Sequence, residues 1–476
     1  MNVLFLTNDD LTQPLSIGYL SSVLLRDGHR TELTSLRNTA RQKKLLTEFK
    51  PDIIALSLVT GRHTLFLDTV RQIKKEYPGI TVLAGGPHPT FYPEFIHEES
   101  IDAVCRGEGE ITLPALINAF ERDRRFLPDT IANWWVKKPD GSVIKNDVGP
   151  LIEDLDTLPY PDRDIYDRAY PCNEHATVYA MTSRGCPFKC SYCFNHAYQE
   201  LYLGKGRLCR RRSVGNLLGE FEKLKQSYPL QIIVFQDDTF NLDKAWLKEF
   251  AAQYPREIGI PFHCHLRADL LDEESAALLR AAGCISVKLG LEAAEEHIRN
   301  NVFNRCMSLE QFENACSLLR GQGIRFATEN ILAVPGSTLE NDLLTYEVNY
   351  RIRPDFCFAT LLQLYPRTRI AGYAVSMGLV TGAPAEFPAT FYQDASFTLE
   401  HKQERGCLRA LFALGAGLHI APNIMRLLIL VRLRKFYELC DRLWKGYCLR
   451  FRIYPYQQSA AGFAREALHY MREKCY

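Results

Sequence analysis

Apolar runs alternate with amphipathic stretches along most of this chain, and the alternation falls into two separate blocks. In the first, from Asn2 to about Glu121, Val3–Leu6, Thr31–Thr34, Ile53–Leu58 and Ile80–Ala84 read as strands, with a short Asp102–Cys105 strand after them. Leu15–Arg26 and Leu65–Glu76 carry the three-to-four spacing of helices. Strands apolar on both faces, joined by helical crossovers, predict a parallel sheet covered on both sides. The predicted fold is a flavodoxin-like, Rossmann-type sheet, which takes its ligand beyond the C-terminal ends of its strands.

Residues 124–175 break the pattern and read as a linker. Ile131–Lys137 and Ser142–Lys145 flank Pro139-Asp140-Gly141, a hairpin signal, and Leu158-Pro159-Tyr160-Pro161-Asp162 is a proline-stiffened strap expected to hold the first domain over the mouth of the second. The second block, 176–370, predicts strands at Val178–Thr182, Ile232–Gln236, Phe262–Leu266, Ile285–Leu289, Phe326–Leu332 and Asp355–Leu361, with helices between them. Six such strands suit an open, partial (β/α)6 barrel, whose functional groups gather at the strand C-termini. A mainly helical region, 371–476, completes an α/β chain of 476 residues.

Composition narrows the field. A net charge of +1 argues against an extended nucleic-acid surface. The N-terminus, Met1-Asn2-Val3-Leu4, has no basic segment or cleavage site and reads as a mature first strand, hence a cytoplasmic protein. The 15 cysteines are scattered through a large periodic chain, and outside one cluster they read as buried reduced thiols.

That cluster is Cys186-Pro187-Phe188-Lys189-Cys190-Ser191-Tyr192-Cys193, on the loop after the first strand of the second block. Three thiolates on one loop converge on a single inorganic cluster, and the missing fourth is informative. Structural zinc and ordinary [4Fe–4S] carriers both take four protein ligands, so three leave one iron open to a small molecule.

The spacing, with aromatic Tyr192 before the third cysteine, resembles the radical S-adenosylmethionine (SAM) motif. The resemblance implies a [4Fe–4S] cluster on Cys186, Cys190 and Cys193 with SAM on its open iron. It also places SAM-binding groups at successive strand ends: Asp237 and Asp238 for the ammonium, by charge-assisted hydrogen bonding, Arg267 for the carboxylate, Glu292 for the ribose or amino group, and Gly336 of Val334-Pro335-Gly336 near adenine. Leu364-Tyr365-Pro366-Arg367-Thr368 resembles the family's exit from the sixth strand.

The first block resembles the cobalamin-binding domain that precedes many radical SAM cores. Its strand-end loops carry Ser57 and Thr60, then Gly85-Gly86-Pro87-His88, then Arg106-Gly107-Glu108. The loop after the first strand, Thr7-Asn8-Asp9-Asp10-Leu11-Thr12, lacks the Asp-x-His-x-x-Gly of histidine-ligating relatives. Asp27-Gly28-His29 is no substitute, since Glu32 stands where glycine is needed, and it reads as a surface turn. The resemblance implies base-off cobalamin without a motif histidine, with His88 in a supporting or packing role.

Two clusters are discounted. His263, Cys264 and His265 alternate faces along a strand and cannot converge on one ion. The basic Lys205–Arg212 loop reads as solvated surface. In the C-terminal region Leu427–Val431 is too short a run to span a membrane, which takes about 20 apolar residues. It suits either a helical cap on the barrel or a basic amphipathic segment on a membrane surface.

The implied function is C-methylation of an unactivated carbon in a small or lipid-like metabolite. SAM cleavage gives a 5′-deoxyadenosyl radical that removes hydrogen, methylcobalamin gives the methyl, and an external donor such as flavodoxin or ferredoxin supplies electrons. A radical cyclase or rearrangement enzyme with the same cofactors stays open, as does an iron–sulfur electron carrier or redox sensor.

Overall fold

A computed structural model describes residues 1–8, 13–123, 130–170, 176–380, 394–395 and 397–453. The chain divides into two compact units, Met1–Asn173 with Gln199–Arg207, and Glu174–Tyr198 with Leu208–Tyr476.

The first unit is built on a seven-stranded sheet in the order β2-β1-β3-β4-β5-β6-β7. Its parallel part comprises β1 (Asn2–Thr7), β2 (Arg30–Ser35), β3 (Ile53–Ser57), β4 (Thr81–Gly85) and β5 (Ala103–Cys105). Alternation along β1 sends Val3 and Phe5 into one core and Leu4 and Leu6 into the other, which is why the strand reads as continuously apolar. The strand order reverses between β1 and β3, the switch point expected of this topology.

The expected linker is more integrated than its composition suggested. Its hairpin, β6 (Trp134–Lys137) and β7 (Val143–Lys145), extends the sheet antiparallel from β5. The proline strap lies along the Leu15–Arg26 helix, where Asp162 accepts from Ser21 Oγ at 2.6 Å and Tyr166 donates to Pro14 O at 2.5 Å. Stiffness in this segment therefore serves packing within the first unit. His29 also departs from expectation. It is buried, 3.1 Å from the Met1 ammonium and 2.9 Å from Asn118 Oδ1, rather than on a surface turn.

The second unit holds β8 (Thr177–Ala180), a short hairpin of β9 (Ser183–Arg184) and β10 (Arg210–Arg211), then β11 (Ile232–Phe235), β12 (Phe262–Leu266), β13 (Cys284–Glu292), β14 (Arg325–Leu332) and β15 (Phe356–Leu361). Six of these form one parallel sheet, β15-β14-β13-β12-β11-β8, with its two ends unjoined: the partial barrel the alternation predicts. Phe221, Phe235, Phe250 and Phe262 pack between strands and helices. The Lys402–Gly417 helix lies along β15, where Cys357 Sγ donates to Phe412 O and buried Arg405 pairs with Asp342 at 3.0 Å.

Candidate functional site

The cysteine loop leaves β8 and is fixed at its root by Asp237, which is fully buried at the end of β11. Its carboxylate accepts from Thr182 N at 3.0 Å, Thr182 Oγ1 at 2.6 Å and Ser183 Oγ. With both oxygens engaged, Asp237 anchors the loop instead of meeting an ammonium, a correction to the sequence expectation. Replacing Asp237 with alanine strands buried donors in Thr182 and Ser183 and is expected to cost about 3 kcal/mol in urea unfolding, with less iron retained per chain.

Gly185 makes the approach to the first cysteine possible. Its φ is +87°, and a Cβ there would lie 2.2 Å from Leu208 O on the facing hairpin. Beyond it Cys186 and Cys190 are buried and Cys193 is partly so, with Cys193 N turning back onto Cys190 O at 3.1 Å. Ser191 ties the loop to Val302 O and Phe303 O, at 2.6 and 2.9 Å. Burial raises the Cys186 thiol and pushes Cys193 up to about 12, so any metal bound here has to displace protons.

Two guanidiniums close on Cys190 Sγ, Arg267 at 3.9 Å and Arg305 at 4.0 Å. Arg305 also donates to Gly290 O at 2.6 Å and Tyr192 OH at 3.2 Å, while Tyr192 donates to Glu292 Oε1 at 2.9 Å. Glu292 sits at a register shift between β13 and β14 with φ of +65°, a conformation unusual for a side chain this large. Burial lifts its pKa to about 7 against the pull of Arg305. Burial also opposes the charge of Arg305, but Tyr192, Glu292 and Cys190 around it hold its pKa above the ordinary value. Cys190, Tyr192, Arg305 and Glu292 thus form one network linking the cysteine loop to a strand end. Arg305 lies on a loop without periodicity, and nothing in the sequence singled it out.

The other strand-end candidates divide. Asp238 is exposed just beyond the end of β11; desolvation raises its pKa, against a hydrogen bond with Asn195. Arg267 is spent: it pairs with both oxygens of Asp269, at 2.9 and 3.0 Å, and stacks over Phe188 at 3.5 Å. It braces the cysteine loop, which corrects its expected role as partner of a free carboxylate. Gly336 follows β14 with φ of +81°. Cys209, on the facing hairpin, is near enough to Cys186 to feel its charge, though burial is the larger reason its thiol is raised.

The discounted clusters resolve as follows. Cys264 points into the outer core while the His263 and His265 rings stand 5.6 Å apart, and the described residues bring no three metal-ligating side chains together around a single ion. A multinuclear cluster asks for wider spacing, since each thiolate takes its own iron. The basic loop is less solvated than expected. Arg212 is buried against Glu220 at 2.5 Å, Arg211 stacks over Trp246 at 4.5 Å, and Arg207 pairs with Glu153.

In the first unit the loops after β3 and β4 interlock. Leu58 N donates to Gly85 O at 2.8 Å, and His88 N to Leu58 O at 2.9 Å. Gly86, with φ of +93°, has no room for a Cβ, which would lie 2.9 Å from the Leu58 backbone. Ser57 Oγ meets Ser16 Oγ at 3.1 Å, and Pro87 opens the short Pro87–Phe91 helix. His88 stacks on His63 with centroids 3.7 Å apart, and Thr60 Oγ1 lies 3.2 Å from His88 Nδ1. Glu108 is occupied, its carboxylate accepting from Ile152 N at 3.0 Å, so it ties its loop to the segment before the strap and is not a free cofactor group. The Asp9–Thr12 loop lies outside the described residues.

Burial, helped by His63, pushes the His88 pKa down to about 3. A histidine with a depressed folded pKa stabilises above its unfolded value near 6.5 and loses that contribution as pH falls. Between pH 6.5 and 5, acid should destabilise the chain by up to about 1.4 kcal/mol per pH unit through this group, and His88→Phe should flatten the slope by that amount in urea titrations.

Comparison with known proteins agrees with this geometry. Residues 1–117 match the B12 binding domain model and residues 181–346 the radical SAM superfamily model. The chain joins a B12-binding domain to a radical SAM domain. It is 28% identical to an uncharacterised methyltransferase of Pyrococcus horikoshii, over 77% of this chain and 79% of that one. It is 29% identical to the anaerobic magnesium-protoporphyrin IX monomethyl ester cyclase of Rubrivivax gelatinosus, over 72% of this chain but only 62% of that protein. In fold it resembles the radical S-adenosylmethionine methyltransferase TsrM from Kitasatospora setae, with a TM-score of 0.66 at 20% identity over 80% and 77% of the two chains. A radical SAM domain makes this protein an enzyme.

Proposed function

We propose that this is a cobalamin-dependent radical SAM C-methyltransferase acting on an unactivated carbon of a small or lipid-like molecule. The observation that carries the reading is the three-cysteine loop, locked by Asp237 and wired through Tyr192 and Arg305 to Glu292, in a chain that begins with a B12-binding domain.

The donor set fits a [4Fe–4S] cluster: Cys186, Cys190 and Cys193 would hold it, and the guanidiniums at Cys190 sit where thiolate coordination adds negative charge. Asp238, which is exposed, and Glu292 would be the groups to meet SAM. The Gly85–His88 and Ser57–Thr60 loops, held tight by the Gly86 approach, offer backbone for cobalamin; neutral His88, engaged by His63 and Thr60, suits packing better than cobalt ligation. When bound, and reduced by a donor such as flavodoxin or ferredoxin, these groups supply a hydrogen-abstracting radical and a transferable methyl.

Anaerobic reconstitution with cobalamin and SAM should yield both 5′-deoxyadenosine and S-adenosylhomocysteine, read by mass spectrometry. The likeness to a cyclase supports a second reading, a radical cyclisation or rearrangement. Deoxyadenosine without S-adenosylhomocysteine, and a product that gains no methylene, would favour it.

A further inference from the structure

An amphipathic helix packed on a protein ordinarily turns its apolar face inward. The Arg434–Cys448 helix does the reverse along much of its length. Phe436, Leu439, Leu443 and Tyr447, one stripe by their spacing, are each about half exposed or more, while Lys445 is buried and Glu438 turns inward to Arg409 at 2.8 Å. The preceding Pro422–Val431 helix adds exposed Leu427 and Val431. Eleven of the 21 large apolar side chains exposed among the described residues fall between Leu418 and Phe451. So much apolar surface in so short a stretch marks a binding face.

Charge identifies what covers it. Residues 418–453 carry eight lysines and arginines against two acids, Glu438 and Asp441, neither of them exposed. Lys435 and Arg442 are exposed around the apolar stripe, as is Arg432; Arg426, Arg432 and Arg434 also pair with Glu340, Glu404 and Asp394 from neighbouring segments, which leaves the face cationic chiefly through the other bases. A second copy would bring like charges together. Residues 454–476 of this chain offer two acids against three bases, and so do not neutralise the face. No described helix is long and apolar enough to cross a membrane. Apolar side chains ringed by cations match the headgroup boundary of an anionic bilayer, where such a helix lies in the plane.

We propose that the Pro422–Cys448 region docks the enzyme on an anionic membrane surface. This holds whatever the barrel's substrate, and its test is independent of turnover. The full chain is sedimented with vesicles of phosphatidylcholine alone or with one quarter phosphatidylglycerol. Binding to the anionic vesicles is expected, and to weaken at high salt. Leu439→Ser/Leu443→Ser should lower it at least about tenfold with unchanged melting temperature, and Lys435→Gln/Arg442→Gln should erase the preference for anionic lipid. Absence of binding, or binding that both double variants leave intact, overturns the proposal. So does a serine variant that melts several degrees lower, which would place the face within the fold, or one that turns a dimer into a monomer, which would make it a contact between copies.

Discussion

Replacing any one of Cys186, Cys190 or Cys193 with alanine is expected to abolish reductive cleavage of SAM, a loss of at least about a thousandfold. Each cysteine would contribute a ligand no neighbour can replace: the loop is held at Thr182 and Ser183 by Asp237 and at Ser191 by Phe303 O, so it cannot slide another side chain into register. Cys209 is the informative control, because it approaches Cys186 from the facing hairpin. Cys209→Ala should leave iron content and deoxyadenosine formation within about twofold of the parent. Quantifying iron, sulfide and 5′-deoxyadenosine for the four variants checks both statements.

Arg305→Ala is expected to have the next largest effect. It leaves Glu292 buried without its cation and Gly290 O without its donor, and breaking such a pair costs about 3–5 kcal/mol. Glu292, already lifted to about 7 by burial, then rises further and is protonated at neutral pH. On the proposed role of Glu292 in meeting SAM, the affinity of the reconstituted variant for SAM should fall at least about tenfold, since that carboxylate is then neutral. Arg305→Lys restores charge but not the fork that reaches both Gly290 and Tyr192, so it should recover stability only in part. Urea unfolding and SAM binding measured between pH 6 and 8 separate the two effects.

The folds of both units were legible because a parallel sheet leaves a plain trace: Leu4 and Leu6 face one core and Val3 and Phe5 the other, so every position from Val3 to Leu6 is apolar. The cysteine loop was legible because its chemistry depends on spacing within eight residues. What the sequence hid were contacts between distant segments. Asp237 lies at a strand end where a ligand group is expected, yet its partners are Thr182 and Ser183, 55 and 54 residues away. Arg267 is the local exception, closed off by Asp269 two residues on because the turn after β12 folds the two together. Arg305 is invisible for the same reason as the Asp237 contacts, its partners lying 15 residues back at Gly290 and 113 residues back at Tyr192. The hairpin at 134–145 looked like a linker because pairing with β5 leaves no mark in its composition.

On the proposed reading three cysteines hold the cluster and one iron has no donor from the polypeptide. The most direct measurement is electron–nuclear double resonance on the reduced, reconstituted protein, frozen with SAM that carries nitrogen-15 in its amino group. Hyperfine coupling from that nitrogen to the cluster, absent without SAM and unchanged in Cys209→Ala, is the result expected. A spectrum indifferent to SAM but altered in Cys209→Ala would put a fourth thiolate on the cluster and leave no open iron for SAM.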